Sequence, residues 1–206
     1  VRGIGSSATK ELYPNLTNAE SGSTNVVTAF SSTGYSLGTD GSYDRFNATG
    51  QSYVDWLWKA GGAAVSNTAG STTSQVSANV EAGFSVVTYT GTGANATVGH
   101  GLGKVPSLML LMNRSITHDS IAWHQVFSAT ERIYLNLTNA KDTGAATSFN
   151  STKPTSSVIH LGSNAYTNGS ANNMLAYCFA DIEGYSKAFS YTGNGSADGP
   201  YVHLGF

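Results

Sequence analysis

One twelve-residue stretch occurs twice, and that recurrence constrains the fold more than any other feature. Thr9-Lys10-Glu11-Leu12-Tyr13-Pro14-Asn15-Leu16-Thr17-Asn18-Ala19-Glu20 returns as Thr130-Glu131-Arg132-Ile133-Tyr134-Leu135-Asn136-Leu137-Thr138-Asn139-Ala140-Lys141, with the Asn-Leu-Thr-Asn-Ala core unchanged. Downstream, in the same register, Tyr53-Val54-Asp55-Trp56-Leu57-Trp58 meets Met174-Leu175-Ala176-Tyr177-Cys178-Phe179. Two anchors recurring at one offset of about 120 residues define an internal repeat, so one building block is used nearly twice.

The limits of the units follow from what surrounds the anchors. An apolar lead, Val105 to Arg114 and then Ile121 to His124, precedes the second block, and nothing equivalent precedes Thr9. The first unit is therefore expected to lack its opening strands, or to take them from residues outside this sequence. Phe84-Ser85-Val86-Val87-Thr88-Tyr89, closed by Thr90-Gly91-Thr92-Gly93, is echoed by Phe189-Ser190-Tyr191-Thr192-Gly193-Asn194-Gly195. The division expected is an incomplete first unit over 1–82, a second over 83–188 and the start of a third over 189–206. Gly61 to Ala82, poor in apolar residues, is expected to be a Gly/Ser/Thr linker or extended arm. The whole is expected to be a piece of a longer repetitive protein.

Local patterns specify strands. Val26 to Phe30 and Tyr35 to Leu37, joined by a Ser-Ser-Thr-Gly turn, predict a hairpin. Alternation over Gln51 to Lys59 places Val54, Trp56 and Trp58 on one face, and the copy places Leu175, Tyr177 and Phe179 there, so this face is expected to be core in both. Leu108 to Met112 is apolar at every position, which suits a central strand covered on both sides. No stretch carries convincing helical periodicity. Short strands between frequent turn signals predict an all-β chain: antiparallel β-sandwich units, jelly-roll or lectin-like, in tandem repeat.

Composition excludes several functions. Charged residues are 11% of the chain, against roughly a quarter in ordinary globular proteins. Eleven Tyr, eight Phe and three Trp still supply enough apolar surface to offset ordering entropy, so the chain should fold. A net charge of −2 with ten scattered Lys and Arg offers no basic stripe for nucleic acid. Leu108 to Met112, the longest apolar run, is far too short to span a bilayer, and no signal-peptide pattern is present. Cys178 stands alone and cannot form an internal disulfide.

A search for chemistry finds little. His100, His118, His124, His160 and His203 form no ligand-spaced pair with Cys or Glu, so no metal is expected. His118-Asp119-Ser120 has the letters of a hydrolase triad, but sequence neighbours point in different directions, and a loop is expected. Gly91-Thr92-Gly93-Ala94-Asn95-Ala96 mimics a dinucleotide fingerprint without a helix start behind it, so a structural turn is expected and no cofactor. Asp40 and Asp44, or Asn194 and Asp198, lack EF-hand spacing. No carboxylate pair sits in an acid/base setting, and no catalytic residue is assigned. Asn-x-Ser/Thr sequons occur at Asn15, Asn47, Asn95, Asn113, Asn136, Asn150, Asn168 and Asn194, as a chain this rich in those residues generates by chance. Tyr43, Tyr166 and Tyr201, in polar loops, are the candidate sugar-stacking residues, set against a plainer role as loop anchors.

The residues assembled above occur in a particular order. It runs from Tyr89-Thr90-Gly91-x-Gly93 through Gly99-His100-Gly101-Leu102-Gly103-x-x-Pro106 and an apolar strand ending Asn113-Arg114. The Asn-Leu-Thr-Asn-Ala block follows, then a strand ending Tyr177-Cys178-Phe179-Ala180, then Glu183-Gly184-Tyr185-Ser186, Tyr191 to Ser196 and Asp198-Gly199-Pro200. This order resembles a repeated domain of unassigned function in virion and tail-fibre-like proteins of marine bacteriophages, notably those of cyanobacteria. The likeness covers nearly the whole chain, and Val1-Arg2-Gly3 resembles the interior of a unit. The resemblance implies a non-enzymatic virion structural protein, a segment of a fibre, spike or capsid-attached appendage with a virion or extracellular location. Its partners would be itself, as a homo-oligomer, other virion proteins and a host surface glycan, with no nucleic acid and no membrane insertion. The family supplies no catalytic or binding residues to carry over. The alternative from another class is a secreted carbohydrate-binding module or cell-surface adhesin.

Overall fold

A computed structural model of the chain describes residues 10–22, 25–39 and 46–205. The chain is mostly β, and its strand ladders are antiparallel. In order come β1 (Lys10–Glu11), β2 (Ser21–Gly22), β3 (Val27–Phe30), β4 (Tyr35–Leu37), β5 (Val65–Asn67), β6 (Ser74–Asn79) and β7 (Phe84–Thr90). Then follow β8 (Ala96–Gly99), β9 (Leu108–Asn113), β10 (Ile121–His124), β11 (Ile133–Tyr134), α1 (Ala146–Phe149), β12 (Val158–Leu161), α2 (Ala165–Asn168) and β13 (Asn173–Phe179).

A seven-stranded sheet, ordered β11-β10-β9-β13-β7-β6-β5, holds the molecule together. β13 lies at its middle, running from Asn173↔Thr90 to Phe179↔Phe84 on one side and from Met174↔Asn113 to Phe179↔Leu108 on the other. Because side chains alternate across a pleat, β13 feeds two cores. Met174, Ala176 and Cys178 join Val87, Tyr89, Met109 and Leu111 on one face, with Val98 of β8, Ile159 and Leu161 of β12, and Phe149 of α1 packed over them. Leu175 and Tyr177 join Phe84, Val86 and Met112 on the other, with Leu12, Leu135 and Ala60 alongside. Both faces of Leu108 to Met112 are covered, as its uniform apolarity predicts, and the β3–β4 hairpin forms where the turn signal places it.

The helices are single turns, too short to write a period into the sequence. Asn164 caps α2 by accepting the Tyr166 N–H at 2.9 Å. Gly91 admits a close approach: a Cβ there would lie 2.1 Å from the Gly169 carbonyl oxygen.

Two expectations need correction. Gly61 to Ala82 is not a linker, since it carries β5 and β6, and β6 pairs with β7 along Gln75↔Thr88 to Asn79↔Phe84. Its small polar residues are used structurally: Ser77 Oγ donates to the Gly62 carbonyl at 2.7 Å, and Ser74 Oγ to the Gly99 carbonyl at 2.8 Å. Hydroxyl-to-backbone bonds and close packing hold this edge with little apolar content, which is why it looks like a linker in sequence. The second correction concerns the expected core face of Gln51 to Lys59. Residues 51–60 lie in no strand, and Val54, Trp56 and Trp58 are 85%, 80% and 57% exposed. Of their counterparts in β13, Leu175 and Tyr177 are buried and Phe179 partly so because β7 and β9 flank that strand, and neither kind of neighbour flanks Val54 to Trp58 among the described residues.

The two occurrences of the recurring sequence block share one local pairing. Glu11 pairs with Ser21 in the first, and Arg132 pairs with Asp142 in the second, at the same offset.

Candidate functional site

Trp58 and one end of the seven-stranded sheet form an aromatic cleft. β7 and β13 are antiparallel neighbours, so the residues just before Phe84 and just after Phe179 emerge at one end of the sheet. Phe84 and Phe179 pack with ring centroids 5.0 Å apart, and the Trp58 ring lies 6.4 Å and 5.9 Å from them. Lys59, Ala82, Tyr185 and Ser186 complete the walls of an open cleft of about 280 Å³. From Trp58 the apolar row continues outward through Leu57, Trp56 and Val54, all exposed. Such a surface is suited to flat or apolar partners, through stacking and burial.

The main polar cluster surrounds Arg132, which is only 6% exposed. Its Nε and Nη2 donate to Asp142 Oδ2 at 3.0 and 2.8 Å, Nη2 also reaches the Tyr134 hydroxyl at 2.9 Å, and Nη1 donates to Ser148 Oγ. The guanidinium carbon stands 4.2 Å from the Tyr166 ring centroid. Hydrogen bonds from the Gly144 N–H and then from Arg132 hold the Asp142 carboxyl below its usual range. Burial, with a hydrogen bond to Tyr166, pushes the Tyr134 phenol up to about 12. Every strong donor of Arg132 is satisfied internally, so the cluster pins the β11 edge to α1 and α2.

This arrangement decides the three tyrosines. Tyr166 is partly buried, with Arg132 over one face, the His118 ring edge-on at 4.3 Å and Tyr134 at 5.7 Å; it is an anchor and is not free to stack on a sugar. Tyr201 is 90% exposed in a segment without strands. Tyr43 lies outside the described residues, as do Asp40 and Asp44. Of the two described, Tyr166 packs with His118 and Tyr134 and not with Tyr201. Sequence reasoning missed the cleft residues Trp58 and Tyr185; the available signal was two tryptophans in a strand pattern with no flanking partner.

The remaining motifs resolve into structure. Asp119 accepts from Asn136 Nδ2 at 2.8 Å and His118 packs against Tyr166, so His118-Asp119-Ser120 is a loop. Gly91 to Ala94 is a turn bound to Asn168, which accepts the Thr92 N–H at 2.7 Å, and β8 follows it. Among the described residues no group of His, Cys, Asp and Glu could hold a metal ion. No helix among them is long and apolar enough to cross a membrane. Asn113 and Asn168 are buried, so their sequons are closed to glycan in the folded chain.

The family model described as "Domain of unknown function (DUF7483)" matches residues 1–206, and the chain belongs to that family. No curated protein and no solved structure matches it.

Proposed function

We propose that the chain is a non-enzymatic structural component of a bacteriophage particle, a repeat-built segment of a fibre, spike or capsid-attached appendage. In this proposal the units, divided near residues 82 and 188, are antiparallel β-sandwiches of the jelly-roll or lectin-like kind set in tandem. They assemble with themselves and with other virion proteins, outside the cell, and contact the host surface. The observation that carries the proposal is the exposed row Val54, Trp56, Leu57 and Trp58, on a chain with only 11% charged residues. A surface that leaves two tryptophans in water calls for a macromolecular partner, and low charge lowers the desolvation cost of tight chain-to-chain packing. The shared pairing Glu11↔Ser21 and Arg132↔Asp142 supports units of one kind, and the bacteriophage assignment is supported by the resemblance given above.

Negative-stain imaging of the purified chain tests this directly: rods, rings or decoration of virions are expected, and dispersed monomers under all conditions would overturn it. The aromatic cleft around Trp58 and Tyr185 favours a second function, a secreted carbohydrate-binding module or adhesin. A glycan array separates the two, because selective glycan binding by the monomer supports the module.

A further inference from the structure

Two strands of the repeat stand open in this chain, and their sequences are complementary to each other. Val54 to Trp58 corresponds to Leu175 to Phe179 of β13, and among the described residues no backbone hydrogen bond involves it. The Tyr89-Thr90-Gly91-x-Gly93 end of β7 corresponds to Tyr191-Thr192-Gly193-x-Gly195, so the residues leading into Tyr191 correspond to β7 itself. That stretch is also in no strand, with Phe189 40% and Tyr191 68% exposed. In the folded second copy β13 and β7 are neighbours, pairing Leu175↔Thr88, Tyr177↔Val86 and Phe179↔Phe84.

We propose that Val54–Trp58 of one copy pairs antiparallel with residues 186–190 of a second copy, in the β13·β7 register, giving a two-fold dimer. Carried over position by position, that register sets Val54 against Ser190, Trp56 against Ala188 and Trp58 against Ser186. Each bulky side chain then faces a small one. On the opposite face Asp55 becomes the diagonal neighbour of Lys187, an opposite-charge pair. The chain edge is also free on the correct side. Ala188 already uses its N–H on Asp181 Oδ1 and its carbonyl on Gln125 Nε2, so the alternating edge of Lys187 and Phe189 faces the incoming strand.

Closure follows from where the segments leave the sheet. Trp58 and Ser186 line the same cleft, so both open segments start from one place on the protomer. A two-fold related copy meets both at once and donates the same two in return, which makes this contact isologous and leaves larger assembly to other faces of the chain. Main-chain bonds supply affinity and the alternate side chains fix register, as in strand addition generally. The inference rests on the self-association in the proposed function and not on its bacteriophage setting: a dimer held some other way would sink the inference and leave that setting untouched.

The test combines sedimentation with crosslinking of the full chain. Sedimentation velocity across a dilution series should show a species of twice the chain mass that dissociates on dilution. Mixing tagged Val54→Cys chains with untagged Ser190→Cys chains should give disulfide-linked heterodimers, much faster than Val54→Cys mixed with the out-of-register control Ser196→Cys; Cys178 is fully buried and stays silent. Trp56→Lys should weaken association roughly tenfold or more, the scale of one aromatic anchor, while leaving the thermal midpoint of the dilute chain unchanged. A chain that stays monomeric, crosslinks equal in rate to the control, a Val54→Cys/Ser190→Cys disulfide formed only within one chain, or a dimer indifferent to Trp56→Lys would each overturn it.

Discussion

Val54 to Trp58 and Leu175 to Phe179, the first and second occurrences of one sequence pattern, differ in fate. In the second, Leu175 and Cys178 are fully buried and Tyr177 nearly so, on a strand with neighbours along both edges. In the first, the matching Val54, Leu57 and Trp56 are 85%, 71% and 80% exposed, on a segment in no strand. Side-chain chemistry is nearly the same in the two places, so the difference lies in the partners. An alternating apolar run becomes a core strand only when other strands satisfy its peptide groups and cover its faces. The opening block behaves differently, because its Glu11↔Ser21 and Arg132↔Asp142 pairings close within about ten residues and need nothing from outside.

Matched substitutions break or sharpen this contrast. Leu175→Ala should destabilise by about 2–5 kcal/mol, as loss of a fully buried leucine does, whereas Val54→Ala should stay within about 0.5 kcal/mol in dilute solution. Chemical denaturation of both variants checks it, and a large loss from Val54→Ala would show that the first copy is packed after all. In the opening blocks, Arg132→Ala should remove about 3 kcal/mol by stripping Asp142, Tyr134 and Ser148 of their buried donor. Lys10→Ala should be nearly silent, since Lys10 stands 3.8 Å from Glu20 at an exposed position and Arg114 holds Glu20 at 2.7 Å.

Alkaline pH probes the buried acids of β7 and β13. Burial pushes the Cys178 thiol from 9.0 up to about 12 and drives the Tyr89 and Tyr177 phenols upward as well. Between those pH values the unfolded chain has lost the Cys178 proton and the folded chain has kept it, so stability must fall as pH rises. Denaturation midpoints should be flat to about pH 9 and then decline, by about 1.4 kcal/mol per pH unit for each group fully engaged. A flat profile to pH 11 would mean that Cys178 is not sequestered. At the cleft the effect is modest: Trp58→Ala should cost about 1 kcal/mol through its contacts with Phe84 and Phe179, and Trp56→Ala less than that.

Legibility in the sequence followed the same division. β7, β9 and β13 were readable because burial on both faces writes unbroken apolar or aromatic runs, and the β3–β4 hairpin because its turn residues are local. β5 and β6 were hidden, since serine hydroxyls bonded to backbone carry no hydropathy signal. The alternation over Val54 to Trp58 predicts a core strand, and the segment is neither a strand nor buried, because both depend on neighbouring strands that local alternation does not specify. The Arg132 cluster and the cleft were also illegible: Arg132, Asp142, Ser148 and Tyr166, or Trp58, Phe84 and Tyr185, are joined only by the strand order of the sheet.

Amide hydrogen exchange, measured on the full chain at high dilution and again at high concentration, tests the dependence on partners most directly. Residues 173–179 should be protected to the level of global unfolding at both concentrations. Residues 54–58 should exchange freely in the dilute chain and gain protection only in step with association. Protection of 54–58 equal to that of 173–179 in the dilute monomer would contradict the claim that this segment lacks strand neighbours.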